Sequence, residues 1–479
     1  MNILLISPCL STSDRYGSAL GKVGPTTEPL GLAYLAAYLR QQRPKADHIE
    51  ILDMAALNYG EEDLKKKLAE KIWDLTGVMI LTPMYIRAKE TIAIIKKSRP
   101  ETKIVLGGPH ATIFPEQTLE EISEIDYSVI GEGEITFCEL VNAIDKKKHT
   151  TKIPGLAYRQ SGKVKMTKPR ALIQNIDELP KPARDLLPMR TYNPAPTYYK
   201  KLPSYIMLTS RGCPFQCAYC SKIFGTQYRF HSIERIISEM EELIYKYRAK
   251  EIIFRDDTFT INKMHVVKLC QEIIRKGFHK KIKWTCMTRV NLVSYELLRL
   301  MNKAGCWSIH YGVESGSQRL LDIIQKGITL EQVRNAFRWT RKAGIETKAF
   351  FMLGLPTETR EESLKTIKFT KELDPDWIQV TITVPYPGTK LYEMTQKDKT
   401  LRSHKWENYQ TWAGWSDKEL VYYPEGRDPN DLKALQTRAM REFYLRPKFI
   451  ARQLMNLKSF ENIKRYSQGA LALVKSKTK

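Results

Sequence analysis

Short apolar runs alternate with amphipathic stretches through residues 1–150. The runs are Ile3–Ser7, Ile49–Leu52, Val78–Leu81, Ile104–Leu106 and Tyr127–Ile130. Between them, Leu30–Arg40, Asp63–Trp73, Ala88–Lys97, Gln117–Ile122 and Phe137–Lys146 repeat apolar positions at helical spacing. Five strands alternating with helices predict an α/β domain with a doubly wound parallel sheet. Such sheets bind ligands beyond the carboxyl ends of their strands. Three turns belong there: Thr82-Pro83, Gly107-Gly108-Pro109-His110 and Gly131-Glu132-Gly133-Glu134. Glycines at those places let the backbone approach a bulky ligand, although any one pair by itself reads as a tight turn.

Residues 151–200 have the composition of a linker, with a hairpin over Ile153–Thr167 and an extended stretch set by Pro180 and Pro182. A second alternating series fills 201–385. Its strands are Tyr205–Thr209, Glu251–Arg255, Lys283–Thr288, Ser308–Gly312, Lys348–Met352 and Trp377–Thr383, and its helical patterns include Ile233–Tyr247, Met264–Lys276, Tyr295–Lys303 and Arg360–Leu373. Six units predict a partial (β/α)6 barrel of the TIM type, with functional residues at the carboxyl ends of the strands. Asp256-Asp257, Arg289, Glu314-Ser315 and the Gly354 turn all fall at such ends. Each alone reads as a helix cap or salt bridge; the recurrence favours a site.

Residues 386–479 read as a small helical, basic region. Trp406, Tyr409, Trp412, Trp415, Tyr422 and Tyr423 either line a substrate mouth or form the core of a cap. From Arg441 onward ten Lys/Arg stand against two Glu, interleaved with Leu445, Phe449, Ile450 and Leu454. That pattern suits peripheral contact with a membrane surface through 441–479, or packing on the barrel with the basic face in water. The net charge of +24 favours anionic partners, but no nucleic-acid-binding module is recognisable, so nucleic acid is the weaker use of it. No apolar run is long enough to span a membrane, and the N-terminus reads as a strand rather than a signal peptide.

Three of the eight cysteines, Cys213, Cys217 and Cys220, share one loop with spacing C-x3-C-x2-C after the first barrel strand. Soft thiolates select zinc, Cu(I) or iron–sulfur clusters. No fourth Cys or His lies close by, so three corners of a cluster with one open iron is the leading reading. A zinc site completed by a distant His, or three buried thiols, are the bland alternatives. Free thiolates for a cluster imply a reducing cytoplasm. Cys286 and Cys306 read as buried structural thiols, Cys286 being the better outside candidate for a role facing the cavity.

Arg211-Gly212-Cys213-Pro214, the cysteine spacing and Tyr219 before the last cysteine resemble the signature of the radical S-adenosylmethionine (SAM) superfamily. The resemblance implies a [4Fe-4S] cluster on Cys213, Cys217 and Cys220 whose open iron chelates SAM. It implies SAM contacts from Tyr219, Asp256, Asp257, Glu314, Ser315 and Gly354, with Arg289 a partner for the SAM carboxylate or a structural ion pair. Glu28-Pro29-Leu30-Gly31-Leu32 and the Gly-Glu-Gly-Glu turn resemble the flavodoxin-like cobalamin-binding domain found ahead of many such barrels. There Thr82, Pro83, Gly107, Gly108, His110, Gly131, Glu132 and Gly133 would contact cobalamin. The D-x-H-x-x-G motif that places a histidine on cobalt is absent: His48 lies before the second strand, away from the ligand edge, and His110 has the wrong spacing, so no protein histidine is expected on the metal.

The group resembled contains hopanoid methylases, phosphonate and antibiotic C-methyltransferases and the anaerobic protoporphyrin ester cyclase. It implies a 5′-deoxyadenosyl radical, methylcobalamin, an external electron donor such as flavodoxin or ferredoxin, and a small-molecule or lipid substrate. C-methylation of an unactivated carbon is the favoured expectation. Oxidative cyclisation or rearrangement is the second, and a cobalamin or iron–sulfur sensor or carrier the non-enzymatic rival. A methylthiotransferase would carry three further N-terminal cysteines, where this chain has only Cys9 and Cys138.

Overall fold

The structure is a computed structural model that describes residues 1–9, 25–44, 47–410 and 418–455. It divides into two compact units, one reaching Tyr192 and the other beginning at Asn193.

The first unit is built on strands β1 (Asn2–Ser7), β2 (His48–Asp53), β3 (Leu75–Met79), β4 (Lys103–Gly107) and β5 (Tyr127–Val129). All five are parallel, in the order β2-β1-β3-β4-β5. That is the flavodoxin-like order, with its switch point between β1 and β3. Ile3, Leu4, Leu5 and Ile6 are all fully buried, as a strand covered by helices on both faces requires. The helix expected over Asp63–Trp73 spans Glu61–Ala69 instead. Trp73 is buried beyond its end, where Nε1 donates back to the Lys67 carbonyl (3.4 Å), so tertiary packing set this position and helical periodicity did not.

The hairpin expected in the linker forms as β6 (Leu156–Gln160) and β7 (Lys163–Met166). It is part of the sheet rather than a connector: β6 pairs antiparallel with β5, making seven strands. Glu132 ties the following chain down by accepting from the Ile173 amide (2.9 Å).

The second unit has β8 (Ser204–Met207), a two-residue antiparallel pair β9 (Ser210–Arg211) and β10 (Arg229–Phe230), then β11 (Glu251–Phe254), β12 (Lys283–Thr288), β13 (Cys306–Glu314), β14 (Glu346–Leu353) and β15 (Trp377–Ile382). β8 and β11–β15 form one parallel sheet in strict chain order, an open six-stranded barrel. The helices between start on side-chain caps: Ser232, Asn262 and Ser294, and capping boxes Thr329/Gln332 and Thr359/Glu362.

Strand alternation assigns the faces. Tyr311 donates to or accepts from Thr340 on the helix Leu330–Lys342 (2.8 Å), so its side faces the helices. Cys286 lies on the helix side too, close to Cys270 of the helix Lys263–Arg275 and to Cys306. Cys286 is thus a buried structural thiol, as expected, and its outside candidacy for a cavity-facing role falls away. Cys306 remains a buried thiol, pushed well up by burial and by Cys286.

An open sheet leaves an edge to cover. The helix Pro429–Tyr444 covers β15: Gln436 donates to the Val380 carbonyl (2.8 Å), and the Tyr444 hydroxyl donates to the Ile378 carbonyl (2.7 Å) and accepts from its amide (3.0 Å). Tyr444→Phe strips Ile378 of both partners, and we expect a loss of about 2 kcal/mol, readable by chemical denaturation. The basic tail turns inward next to this helix. Arg446, Lys448 and Arg452 converge on Asp374 (3.1, 2.9 and 2.8 Å), and Arg452 also reaches Asp376 (3.2 Å). Phe449 packs on Trp377, Phe443 and Tyr444. Within 441–452, Arg446, Lys448 and Arg452 are thus paired with acidic partners, while Arg441, Leu445 and Ile450 are exposed; 456–479 lie outside the described residues. Trp406, Tyr409 and Tyr422 are buried as cap core, while Trp412 and Trp415 lie outside the described residues. Among the described residues no helix is long and apolar enough to cross a membrane.

Candidate active site

The cysteine loop leaves β8 through β9. Gly212 turns the chain at φ +86°, in the region that favours glycine. The loop is pinned at its centre, where the Ala218 amide donates to the Ile324 carbonyl and the Leu391 amide donates to the Ala218 carbonyl (both 2.8 Å). Cys217 is buried, Cys213 half-buried and Cys220 exposed. Even so, the crowded loop pushes the Cys220 thiol up to about 11, through partial loss of water around the sulfur first and then the negative charges of Asp257, Cys217 and Cys213. Thiolates this close repel one another, and a cationic cluster shared between them removes that cost. Among the described residues no three His, Cys, Asp or Glu side chains meet at a point that would hold a single ion. A multi-iron cluster has no such requirement, because each thiolate binds a different iron.

Arg289 lies beneath the loop. Nη1 donates to Cys217 Sγ (3.1 Å), Nη2 to the Lys326 carbonyl, and Nε to Asn291 Oδ1 (3.3 Å), with the guanidinium 3.9 Å from the Phe215 ring centre. One donor serves the cysteine loop, and none of the three partners is a carboxylate. Asp257 lies beside Cys220 at the surface, where the crowded loop strips part of the water from its carboxyl and raises it against the pull of the Gly212 amide.

Asp256 is buried. Its Oδ1 accepts from the Thr209 amide and hydroxyl (2.8 Å each) and from Ser210 Oγ (2.7 Å), while Oδ2 is buried with no partner. Burial raises the carboxyl to about 6 in spite of those bonds. The folded value lies above the ordinary 3.8 of the unfolded chain. Stability present below the unfolded value is therefore lost as pH rises through about 6, amounting to about 3 kcal/mol at neutral pH. Asp256→Asn keeps Oδ1 and removes the charge. We expect it to be more stable at pH 7 by up to that amount, and to bind SAM about 10–100-fold more weakly if Oδ2 meets the SAM ammonium. Denaturation at pH 4 and pH 7 and equilibrium SAM binding check both halves.

Glu314 ends β13 at φ +67°. Its Oε1 accepts from the Tyr219 hydroxyl and from Lys326 Nζ, and Lys326 also donates to the Tyr219 hydroxyl, all at 2.7 Å. Lys326 escaped sequence reasoning. It sits in a Gln-Lys-Gly loop that reads as solvated surface, and only the fold folds it inward. Gly312 makes the triad possible, since a Cβ there would lie 2.8 Å from Lys326 Nζ and against Glu314 Oε1. Ser315 is buried and shares hydrogen bonds with Thr366 (3.2 Å) and the Ser317 amide (3.1 Å). Gly354 follows β14 at φ +75°.

In the first unit, the turn at Thr82-Pro83 follows β3, and Thr82 Oγ1 is 3.1 Å from His110 Nδ1. His110 is 1 % exposed between Tyr85 and Phe114, and burial pushes its imidazole down to about 4, so it is neutral. Gly108 has φ +108°, and a Cβ there would lie 2.7 Å from the Ile80 carbonyl oxygen. Gly107 and Gly131 have open space where a side chain would stand, which suits close approach by a broad planar ligand. The Gly131 amide donates to Thr112 (3.0 Å), and Glu132 is turned to Ile173. Gly133 opens the helix Gly133–Asp145, with its Cα packed towards Leu35 and Val129.

Comparison with known proteins finds relatives for both units. The radical SAM superfamily model matches residues 207–370 and the B12 binding domain model matches 18–141. The chain is 38% identical over 473 residues to an uncharacterized methyltransferase of Pyrococcus horikoshii, covering 98% of each. It is 30% identical to an anaerobic magnesium-protoporphyrin IX monomethyl ester cyclase of Cereibacter sphaeroides, over 82% of this chain and 63% of that one. In fold it is similar to a radical SAM methyltransferase from Kitasatospora setae with cobalamin and a [4Fe-4S] cluster bound (TM-score 0.70, 20% identity, 93% and 89% of the two chains). It is also similar to the cobalamin-dependent SAM radical enzyme OxsB (TM-score 0.74, 16% identity, 99% and 71%). The chain belongs to the radical SAM superfamily, in the group that carries a B12-binding domain ahead of the barrel. It is a cobalamin-dependent radical SAM enzyme, and its cofactors are a [4Fe-4S] cluster, SAM and cobalamin.

Proposed function

We propose that the enzyme methylates an unactivated carbon of a small molecule. What carries this reading is similarity to a methyltransferase over nearly the whole of both chains, in a chain that has both a three-cysteine loop and a B12-binding sheet. Together the cofactors supply a hydrogen-abstracting organic radical and a transferable methyl group. The protein holds and orients them. Cys213, Cys217 and Cys220 ligate the cluster, and Arg289 donates to the Cys217 sulfur and steadies the loop. Asp256, through its unpartnered Oδ2, receives the SAM ammonium, with Asp257 beside it. Tyr219, Glu314, Ser315 and Gly354 shape the remaining SAM contacts. The glycine-bearing turns around Thr82, Pro83, Gly107, Gly108, His110, Gly131, Glu132 and Gly133 form the cobalamin edge. A small electron-transfer protein such as flavodoxin or ferredoxin supplies the reducing electron.

The test is turnover with SAM carrying a trideuteromethyl group, using reduced holoprotein and candidate substrates. A product that keeps the intact label supports methylation. An unlabelled product that has lost hydrogen shows cyclisation, the chemistry named for the Cereibacter relative.

A further inference from the structure

The barrel lumen carries a second constellation, away from the cysteine loop. Met287, His310 and Lys348 are register partners across β12, β13 and β14. Arg255, the residue after β11, reaches the same row, with Nη1 3.8 Å from Met287 Sδ. The neighbouring Cys286 and Tyr311 face the helices, so this row faces the lumen. His310 is three register steps before Glu314 across the bulge at Gly312–Glu314, which puts the row about 10 Å deeper along the strand. Tyr198, from the turn Pro196–Tyr198 ahead of β8, closes the row. Its ring centre is 4.8 Å from that of His310, 4.0 Å from Lys348 Nζ and 4.4 Å from the Arg255 guanidinium.

The charges do not balance. Lys348 is 4 % exposed and donates to Thr197 Oγ1 (2.9 Å). Among the described residues no carboxylate pairs with Lys348 or with Arg255. His310 is 1 % exposed, and neither ring nitrogen has a partner. A buried ammonium and a half-buried guanidinium without an anion, beside a buried imidazole without a hydrogen bond, are costly unless something completes them. The tyrosine does so in part. Burial pushes its hydroxyl up, but Lys348 and Arg255 more than reverse this and leave it at about 8. Burial pushes both the Lys348 ammonium and the His310 imidazole down, as expected where the counter-ion is missing.

We propose that this row is an oxyanion subsite on the floor of the lumen, where Arg255, Lys348 and His310 receive a carboxylate or phosphoryl group carried by the substrate. Arg255 and Lys348 supply the charge, His310 a further hydrogen bond, and Tyr198 the floor against which the group rests. The inference rests on the lumen being the substrate chamber of the proposed methylation. It assigns the substrate to the anionic small molecules.

The Tyr198 hydroxyl reports occupancy without turnover. Anaerobic holoprotein is labelled with [ζ-13C]tyrosine, and the Tyr198 resonance is identified by its loss in Tyr198→Phe. In chloride its titration midpoint is expected near pH 8. At matched ionic strength, sodium acetate or sodium phosphate should raise it by about one pH unit or more, because a bound anion cancels the pull of the two cations. A response to acetate alone assigns a carboxylate, and one to phosphate alone a phosphoryl group. In Lys348→Met, or in Arg255→Lys should that variant not fold, the response to either salt should be weakened or lost. A midpoint indifferent to both salts, in protein that still splits SAM, overturns the subsite and leaves the methylation reading standing. A midpoint that responds in protein unable to split SAM supports the subsite and overturns the methylation reading.

Discussion

Cys217→Ser is expected to abolish SAM cleavage and strip the cluster, with iron and sulfide both lost, while the folded barrel survives. The sulfur is buried, lies in a loop fixed through Ala218, and takes a charge-assisted hydrogen bond from Arg289. Serine fits the space but offers a hard, protonated oxygen where a soft thiolate is required. Three ligands that act as one unit fail together, so 5′-deoxyadenosine formation should fall by about 10⁴-fold or more in this variant and in the equivalent changes at Cys213 and Cys220. Arg289→Lys separates ligand from support. It keeps a cation but loses the fork that reaches Cys217, Asn291 and the Lys326 carbonyl at once, and a loss of about 10–100-fold is expected. Iron content, the optical spectrum and 5′-deoxyadenosine yield on the same anaerobic preparations decide the matter. A Cys217→Ser protein with full iron and full cleavage would show that the loop does not carry the cluster.

Those cysteines were legible because their chemistry and spacing are local. The strands were legible for a related reason: buried parallel strands read as unbroken apolar runs, and the six barrel strands lie where the runs place them. What was not legible depends on contacts distant in the chain. Trp73 looked like the end of a helix and is buried beyond it. The hairpin at 156–166 looked like a linker ornament and extends the sheet. Cys286 read as a buried structural thiol and is one, but which strand face it takes, towards Cys270, depends on strand phase, since a one-residue shift exchanges the two faces. The basic tail looked like a surface for anions and in part neutralises Asp374 and Asp376. Tyr198 and Lys348 are 150 residues apart in sequence and in contact only because β14 follows β13 in the sheet.

Lys326 is the sharpest case of such distant dependence, and its removal has the second largest expected effect. Lys326 and Glu314 are 5 % and 6 % exposed, and with Tyr219 they tie the end of β13 to the cysteine loop. Lys326→Met leaves the Glu314 carboxylate buried with Tyr219 alone. Breaking a buried pair from one side costs about 3–5 kcal/mol, and at about 2–4 °C per kcal/mol for a domain of this size the midpoint should drop by about 10 °C. Gly312→Ala should cost less than this, because its methyl group would meet only the flexible ends of the two side chains, Nζ and Oε1, which can shift aside. The double variant Glu314→Gln/Lys326→Met removes both charges and should recover most of the lost stability. SAM affinity should not recover with it, since Glu314 is then gone from the site it is proposed to shape. Thermal unfolding of the anaerobic holoproteins and equilibrium SAM binding separate the two effects. If the double variant is as unstable as the single one, the triad is not an ion pair of consequence. If it regains SAM affinity along with stability, Glu314 positions the loop and does not touch SAM.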